Sequence, residues 1–474
     1  MSTPLHCDVA VIGAGTAGLA AERAARRNGA STLLIDPHFN GTTCANVGCM
    51  PSKLLIAAAK QAERIRRSDL FGIRVDGLQV DGAAVMQRVR DERDRFAALT
   101  RQQIKALDPA TRVTGRARFA GPTTLELDDG PRIEARAIVI ATGSSPALPP
   151  PFKALGDRVL TNESLFELKQ LPTRVAVVGT GSLGLEFAQA LARLGVQVTL
   201  LGKETTLAKI RCPRVHRALL AMLKRDMKVH LGVDVHPERN ADGVRVRWSS
   251  KQGADGSAQV DYVVAALGRP PNLEGLGLGL GKAKLKLDKH GVPCHDRQTM
   301  RCGDSAIFLA GDAAADLPLL HEASSDGAIA GRNATALPAE ITVKRHVPLS
   351  ITFTDPPVAS IGQSEDEAAV TGTADFDDQG RARVEGVNEG TLTLYAAAPE
   401  GTLIGADLVV PAGEHLAHLL AWAVETGCTA SRLLELPFYH PTMEEGLKQA
   451  LRSICAATPI ALPADHDAGA PSGG

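Results

Sequence analysis

The stretch CDVAVIGAGTAGLAAERAARRNGASTLLID, residues 7–36, decides the fold. It opens on a short apolar, β-prone run, CDVAVI at 7–12. The glycine turn GAGTAG at 13–18 follows, then the alanine-rich LAAERAARRNG and a second apolar run, STLLID at 31–36. The order is strand, turn, helix, strand, with the G-x-G-x-x-G spacing and an acid, Asp36, about 20 residues further on. Gly13 permits the tight turn, Gly15 lets backbone approach a pyrophosphate, and Gly18 lets the helix pack closely on the strand. The helix start offers unpaired N–H groups and a positive dipole end to phosphates, and Asp36 can accept from a ribose hydroxyl.

The same grammar recurs at 174–201, RVAVVGTGSLGLEFAQALARLGVQVTLL, around Gly179, Gly181 and Gly184. Two such units imply two dinucleotides. Between them, ARAIVIATGSSPALPPPF at 135–152 reads as a buried strand ending in a glycine-serine-proline turn, a crossing between domains. YVVAALGRPPN at 262–272 and AIFLAGDAAA at 306–315 read as further strands with turns, the second ending at Gly311-Asp312. Residues 83–107 carry apolar residues at helical spacing with charges between, the pattern of a solvated amphipathic helix. From about 346 short β-prone runs alternate with helices, and from 463 the polar, Gly/Pro-rich tail is expected to be disordered.

Composition narrows the function. The 474 residues suggest two to four domains at roughly 100–200 residues each. A net charge of −1 and an aromatic content of 3% argue against nucleic acid or an anionic membrane as the main partner. No signal peptide and no run of about 18 apolar residues is present. Eight cysteines without a secretory signal are expected to stay mostly reduced in a cytoplasmic protein.

Two of them stand apart. GTTCANVGCMPSK, residues 41–53, sets Cys44 and Cys49 five residues apart. A zinc site needs about four ligands, and no second pair accompanies them. A static disulfide is out of place in a cytoplasmic chain; a pair of cycling thiols fits best. Residues five apart on a regular helix lie about 140° around the axis, too far apart for a disulfide. The segment must therefore be distorted, and Gly48 supplies the freedom. A strained, accessible disulfide is the reactive kind.

This stretch resembles the active-site box of the class I pyridine nucleotide–disulfide oxidoreductases, G-G-T-C-x-N-x-G-C-x-P-S-K, with Thr42 where the family usually has a second glycine. The resemblance runs along nearly the whole chain in order. It takes in the first glycine turn, the cysteine box, ATGS at 141–144, the second glycine turn, GRPPN at 268–272, AGD at 310–312 and HPTMEE at 440–445. It implies an α/β fold with two Rossmann-like dinucleotide-binding domains and a C-terminal α+β dimerisation domain. The expected bounds are 1–150 and 271–345 for FAD, 151–270 for NAD(P), 346–462 for dimerisation and 463–474 for the tail.

The resemblance also implies roles. Gly13, Gly15, Gly18 and Asp36 would hold the ADP half of FAD, with Ala117, Thr142, Gly143, Ser144, Leu320 and His321 also on the cofactor and Asp312 on the ribityl chain. Gly179, Gly181, Gly184 and Gly268 would bind NAD or NADP. Lys53 would sit near flavin N5, paired with Glu186. Cys49 would be the flavin-side thiolate and Cys44 the thiol that exchanges with substrate. His440, oriented by Glu445, would move the proton, with a pKa near 6.5 in its ordinary state. In the family that histidine reaches the other subunit's site, so a homodimer with shared sites is expected.

Within the family, PLLHEASSDG at 318–327 resembles dihydrolipoamide dehydrogenases. Mercuric reductases replace the histidine and carry adjacent cysteines near the C-terminus, where this chain has His440 and only Cys455. Soluble transhydrogenases commonly lack the full box. The expectation is oxidation of dihydrolipoamide to lipoamide, with electrons passing through the Cys44–Cys49 disulfide and FAD to NAD(P)+. The alternatives are an NADPH-dependent reductase of another disulfide, or a redox-sensing flavoprotein with only diaphorase activity. No lipoyl or mercury-binding domain precedes residue 8, so a lipoyl partner is expected on a separate chain. The position where NAD-specific members carry a ribose-binding acid is Gly202. Lys203 and Lys209 then either meet a 2′-phosphate or are solvated, and Glu204 could serve a ribose. Ser182 stands where the family has a bulky gate. The cysteines at 7, 212, 294, 302, 428 and 455 read as core or surface thiols.

Overall fold

The computed structural model describes residues 3–458, apart from 129, 251, 252, 254, 274 and 276. The tail from 463 lies outside the described residues. The chain opens with β1 (Leu5–Ile12), α1 (Thr16–Arg27) and β2 (Thr32–Asp36). Then come α2 (Thr43–Val47), α3 (Cys49–Arg66) and α4 (Gly82–Lys105). Next are β3 (Arg112–Thr114), β4 (Ala117–Gly121), β5 (Thr124–Leu127) and β6 (Ile133–Ile140). The second unit holds α5 (Pro150–Lys153), β7 (Val159–Leu160), β8 (Arg174–Val178), α6 (Ser182–Arg193), β9 (Gln197–Gly202), α7 (Pro213–Asp226) and β10 (Lys228–Leu231). It continues with β11 (Asp234–Asn240), β12 (Gly243–Ser249), β13 (Gly256–Val260) and β14 (Tyr262–Ala265). The chain then returns through α8 (Leu280–Ala283), β15 (Ile307–Leu309) and α9 (Leu320–Ala336). The last part comprises β16 (Leu349–Thr352), β17 (Val358–Gly362), β18 (Val370–Asp375), α10 (Gly380–Val384), β19 (Thr391–Ala397) and β20 (Thr402–Val409). It ends with α11 (Gly413–Glu425), α12 (Ala430–Leu434) and α13 (Leu447–Ala457). No helix among the described residues is long and apolar enough to cross a membrane.

The first sheet runs β3-β2-β1-β6-β5-β4, and β15 also pairs with β6. Its central strands read as unbroken apolar runs because both faces are covered. Side chains alternate across a strand. Val9 and Val11 therefore enter one core with Ala17 and Ala21 of α1, while Ala10 and Ile12 enter another with Phe119 and Leu125. The parallel register aligns Ile12 with Ile35 and Ile140, and Ile140 with Leu309. The turns after these strands consequently gather at one edge, bringing Gly13, Asp36, Ala141–Ser144 and Gly311-Asp312 together. Ligands of open parallel sheets bind at such carboxyl edges.

The second sheet, β10-β9-β8-β14-β7, is parallel throughout. Val178 pairs with Leu201 and Ala265, so Gly179, Gly202 and the segment up to Gly268 share its carboxyl edge. β11-β12-β13 form a small antiparallel third sheet, and the fourth, β16-β17-β20-β19-β18, is also antiparallel. Leu392, Leu394 and Leu408 of this sheet share a core with Leu416 and Leu420 of α11 and Leu447, Leu451 and Ile454 of α13.

Candidate active site

At the first glycine turn the spacing has a steric cause. Gly13 has φ +103°, and a Cβ there would lie 2.4 Å from Ala141 O. A Cβ on Gly18 would lie 1.8 Å from Gly13 O, so only glycine lets α1 start this close to β1. Gly15 differs: a Cβ there would meet nothing within 4 Å, and α1 has no side-chain cap. This is an open, donor-rich cradle of the kind a pyrophosphate needs. The second unit repeats it, with Gly181 facing open space and α6 uncapped by any side chain. Both cradles suit dinucleotides.

Asp36 accepts from the backbone N–H groups of Ala14 at 3.0 Å, His38 at 2.9 Å and Phe39 at 2.7 Å. It stays partly exposed, with lone pairs to spare for a ribose. Ala117 opens β4 close by, since β3 pairs Thr114 with Asp36. Around Asp312 a network ties the ATGS, GRPPN and AGD stretches together. Ser144 Oγ donates to Asp312 Oδ2 at 2.6 Å. Arg269 grips the same loop, donating to Ser144 Oγ at 3.1 Å, Ser144 O at 2.6 Å and Asn162 Oδ1 at 2.9 Å. Asn162 in turn donates to Val47 O at 2.8 Å, in the last residue of α2. Thr142 Oγ1 donates to Asn272 O at 2.5 Å and Asn272 N to Gly143 O at 2.8 Å. Leu320 and His321 open α9 and are exposed.

The cysteine box is two helices broken at Gly48 (φ −125°, ψ −116°). A Cβ at this break would lie 3.0 Å from Thr43 O and 3.2 Å from Cys44 Cα. The break removes the separation that a continuous helix would impose and lets the two sulfurs meet. Thr42, the departure from the family pattern, caps α2 by accepting from Ala45 N. Both cysteines are free thiols in this structure, one on each side of the helix break. Cys44 is pushed up by its bond to Cys49 and by burial, and Cys49 is lowered to about 7 by its bond to Cys44 and by the charge of Lys53. Cys49 also begins the 18-residue α3, where the helix dipole favours a thiolate.

Lys53, one turn along α3 from Cys49, donates to Glu186 Oε1 at 2.9 Å and Oε2 at 2.8 Å. Glu186 is 4% exposed, so its charge requires these partners, while the Lys53 side chain is 34% exposed. A third group completes the cluster. Phe353 N donates to Glu186 Oε1 at 2.9 Å, and Lys53 Nζ lies 4.4 Å from the centre of the Phe353 ring. Phe353 belongs to a longer contact along one face of α6. Ser182 accepts from Thr352 Oγ1 at 2.7 Å, Gln189 Oε1 accepts from Asp355 N at 2.8 Å, and Arg193 pairs with Asp355 at 2.5 Å. Residues 182, 186, 189 and 193 are spaced by three and four, the spacing of one helix face. The gate position thus holds a small hydroxyl engaged with β16.

His440 Nδ1 lies 3.2 Å from Glu445 Oε2. The His440 side chain is 60% exposed and Glu445 is 7% exposed, held further by Thr442 N at 3.1 Å. A buried carboxylate therefore orients an exposed imidazole. Among the described residues no hydrogen bond or ion pair joins His440 to Cys44 or Cys49 of the same chain.

The second carboxyl edge opens on a cleft of about 560 Å³ lined by Gly179, Gly181, Lys203, Glu204, Lys209 and Gly268, among others. Gly202 closes β9, and a Cβ there would lie 2.5 Å from Thr180 Cγ2. Thr180 is itself fixed, its hydroxyl donating to Thr206 O at 3.0 Å and its carbonyl accepting from Ala208 N at 2.8 Å. The space for an acidic side chain at 202 is taken by Thr180. Lys203 and Lys209 are exposed at the rim, and neither is in an ion pair among the described residues.

Comparison with known proteins agrees with this geometry. Residues 7–327 match the pyridine nucleotide-disulphide oxidoreductase family, and residues 348–451 match its dimerisation domain. The chain belongs to the pyridine nucleotide-disulphide oxidoreductases. A dihydrolipoyl dehydrogenase of Chlamydia muridarum is 31% identical, over 96% of this chain and 98% of that one. A mercuric reductase of Staphylococcus aureus is 29% identical, over 94% of this chain and 81% of that one. The structure of the HOCl-induced flavoprotein disulfide reductase RclA from Escherichia coli is similar in fold, with TM-score 0.81 and 22% identity, over 94% of this chain and 99% of that one. As a pyridine nucleotide-disulphide oxidoreductase the protein is an enzyme that uses FAD and NAD(P), and it carries a dimerisation domain.

Proposed function

We propose that this oxidoreductase oxidises dihydrolipoamide to lipoamide, reducing NAD(P)+, through a Cys44–Cys49 disulfide. The observation that carries this reading is the placement of the cysteine pair: Gly48 breaks the helix between them, and Cys49 begins α3 one turn before the Lys53–Glu186 ion pair. The helix start and the Lys53 charge favour Cys49 as the thiolate, leaving Cys44 as the thiol. A thiolate that leaves easily and a thiol that keeps its proton suit the two halves of an exchange. The 31% identical dihydrolipoyl dehydrogenase supports the choice of dithiol.

In this reading one substrate thiolate attacks Cys44 Sγ. The Cys44–Cys49 bond breaks and Cys49 leaves as the thiolate. The second substrate sulfur attacks the first, closing the cyclic disulfide and expelling Cys44. Of the two substrate protons, one ends on Cys44 and the other on the His440 imidazole, held by Glu445. Bound FAD supplies the two-electron relay from the Cys49 side to the pyridine nucleotide. Lys53 and Glu186 hold fixed charge beside that relay. Gly13, Gly15, Gly18, Asp36, Ser144 and Asp312 bind the FAD; Gly179, Gly181, Gly184 and Gly268 bind the pyridine nucleotide. The exposed His440 serves the cysteines of a second copy, making the functional unit a homodimer.

The test is steady-state kinetics with dihydrolipoamide and NAD(P)+, against glutathione disulfide and NAD(P)H. Dihydrolipoamide should be the better substrate, and Cys49→Ala should abolish its oxidation while retaining flavin. Full dihydrolipoamide activity in Cys49→Ala would end the proposal. Mixing Cys44→Ser chains with His440→Ala chains should restore part of the activity; inactive, verified heterodimers would remove the shared site. A second reading, an NADPH-driven reductase of another disulfide, is favoured by the cleft: Thr180 excludes the acid at 202, and Lys203 and Lys209 flank the rim.

A further inference from the structure

We propose that Phe353 is a positioning residue that confines the Lys53 ammonium between Glu186 and the cysteine pair. The inference rests on the dithiol reading above and extends it to a segment outside the two dinucleotide units. Lys53 reaches its place on a long, flexible stem, and its side chain is only two-thirds covered. Glu186 fixes one side of the ammonium with two bonds, at 2.9 and 2.8 Å. On its own, a carboxylate would let the ammonium pivot toward solvent. The Phe353 ring, 4.4 Å from Nζ, offers its electron-rich face to the cation and limits that motion.

The same residue holds the carboxylate too. Phe353 N donates to Glu186 Oε1 at 2.9 Å, so the ring and the backbone act on opposite partners of one ion pair. The ring is set in turn by its neighbours. Thr352 and Asp355 are bonded to Ser182, Gln189 and Arg193, and Phe353 packs partly buried against the core that includes Leu55 and Leu185. Lys53 and Cys49 are four residues apart on α3, so they share a helix face. A charge held there favours the thiolate, and one that wanders off favours it less.

The test uses the flavin-loaded Cys44→Ser enzyme, in which Cys49 has no thiol partner. Its long-wavelength thiolate–flavin absorbance is followed against pH in this parent and with Phe353→Leu or Phe353→Tyr added. Leucine keeps apolar bulk and the backbone N–H but removes the aromatic face; tyrosine restores the face. Phe353→Leu should raise the midpoint by about half a unit, the scale of one exposed cation–π contact. Phe353→Tyr should stay within about 0.2 unit of the parent. An unmoved midpoint in Phe353→Leu, or equal shifts in the two variants, would overturn the assignment to the ring. If the Cys44→Ser parent itself shows no such absorbance, the dithiol reading fails and this inference with it.

Discussion

Nucleotide preference is open to test through Thr180. In Gly202→Glu the new Cβ would sit 2.5 Å from Thr180 Cγ2, closer than real Cβ contacts come. Thr180 cannot swing aside without breaking its bond to Thr206 O. The single substitution should therefore impair NADH and NADPH alike. Thr180→Ser removes only the methyl and leaves the hydroxyl, 3.2 Å from the same Cβ. The double variant Thr180→Ser/Gly202→Glu should then accept the carboxylate, gain NADH turnover over the single variant and lose NADPH turnover. On the other rim, an exposed lysine facing a 2′-phosphate contributes about 1 kcal/mol, or about fivefold in affinity. Lys203→Ala and Lys209→Ala should each lower kcat/KM for NADPH by about fivefold, and together by about 25-fold, leaving NADH within about twofold. The dependence on NADPH should weaken at high salt. The assay is initial-rate kinetics with both nucleotides at fixed disulfide substrate. Equal losses with NADH and NADPH in the lysine variants, or undiminished turnover in the single Gly202→Glu variant, would refute the reasoning.

Lys53→Met should move the pH midpoint of the Cys49 thiolate absorbance upward by about one unit. Charges about 6 Å apart, the separation of neighbours one helical turn apart, interact by roughly 3 kcal/mol at an effective dielectric near 20, and partial exposure of Lys53 cuts this by about half. The sign follows from Cys49 being lowered to about 7: thiolate is present above that pH and lost below it, so removing the cation raises the pH at which it forms. An unchanged midpoint would show that Lys53 does not act on this sulfur. His440→Gln should lower dithiol turnover by about 10² to 10⁴, the range for a lost general base, while NAD(P)H-driven dye reduction stays near wild type. A parallel loss of both activities would place the damage elsewhere.

The two glycine turns and the cysteine box are legible in the sequence because their constraints are local. Gly13 is required locally by its φ of +103°, Gly18 by its approach to Gly13 O within the same turn, and Gly48 by a helix break between neighbours. Lys53 and Glu186 are legible only through the family resemblance, since 133 residues separate them. Asn162 and Phe353 carry no such signal, and although Arg269 lies inside GRPPN and Thr180 inside the second glycine turn, neither stretch tells what the side chain touches. Each makes its decisive contact across a domain or from one strand end to the next. For Arg269 the available hint is the cation within GRPPN, whose planar fork suits bridging two carbonyl oxygens and a hydroxyl. Thr180 sits inside the second glycine motif at an unrestricted position, and its importance emerges only once β9 is seen to end against it.

The stripe from Ser182 to Arg193 limits how this chain can be recombined. Grafting a homologous nucleotide module by crossing over before β8 and after β14 would bring in a foreign helix and leave the native 352–355 segment behind. The imported helix would meet Phe353 and Asp355 with mismatched donors and acceptors. A viable chimera has to take both segments from one parent, although 162 positions of chain separate Arg193 from Asp355.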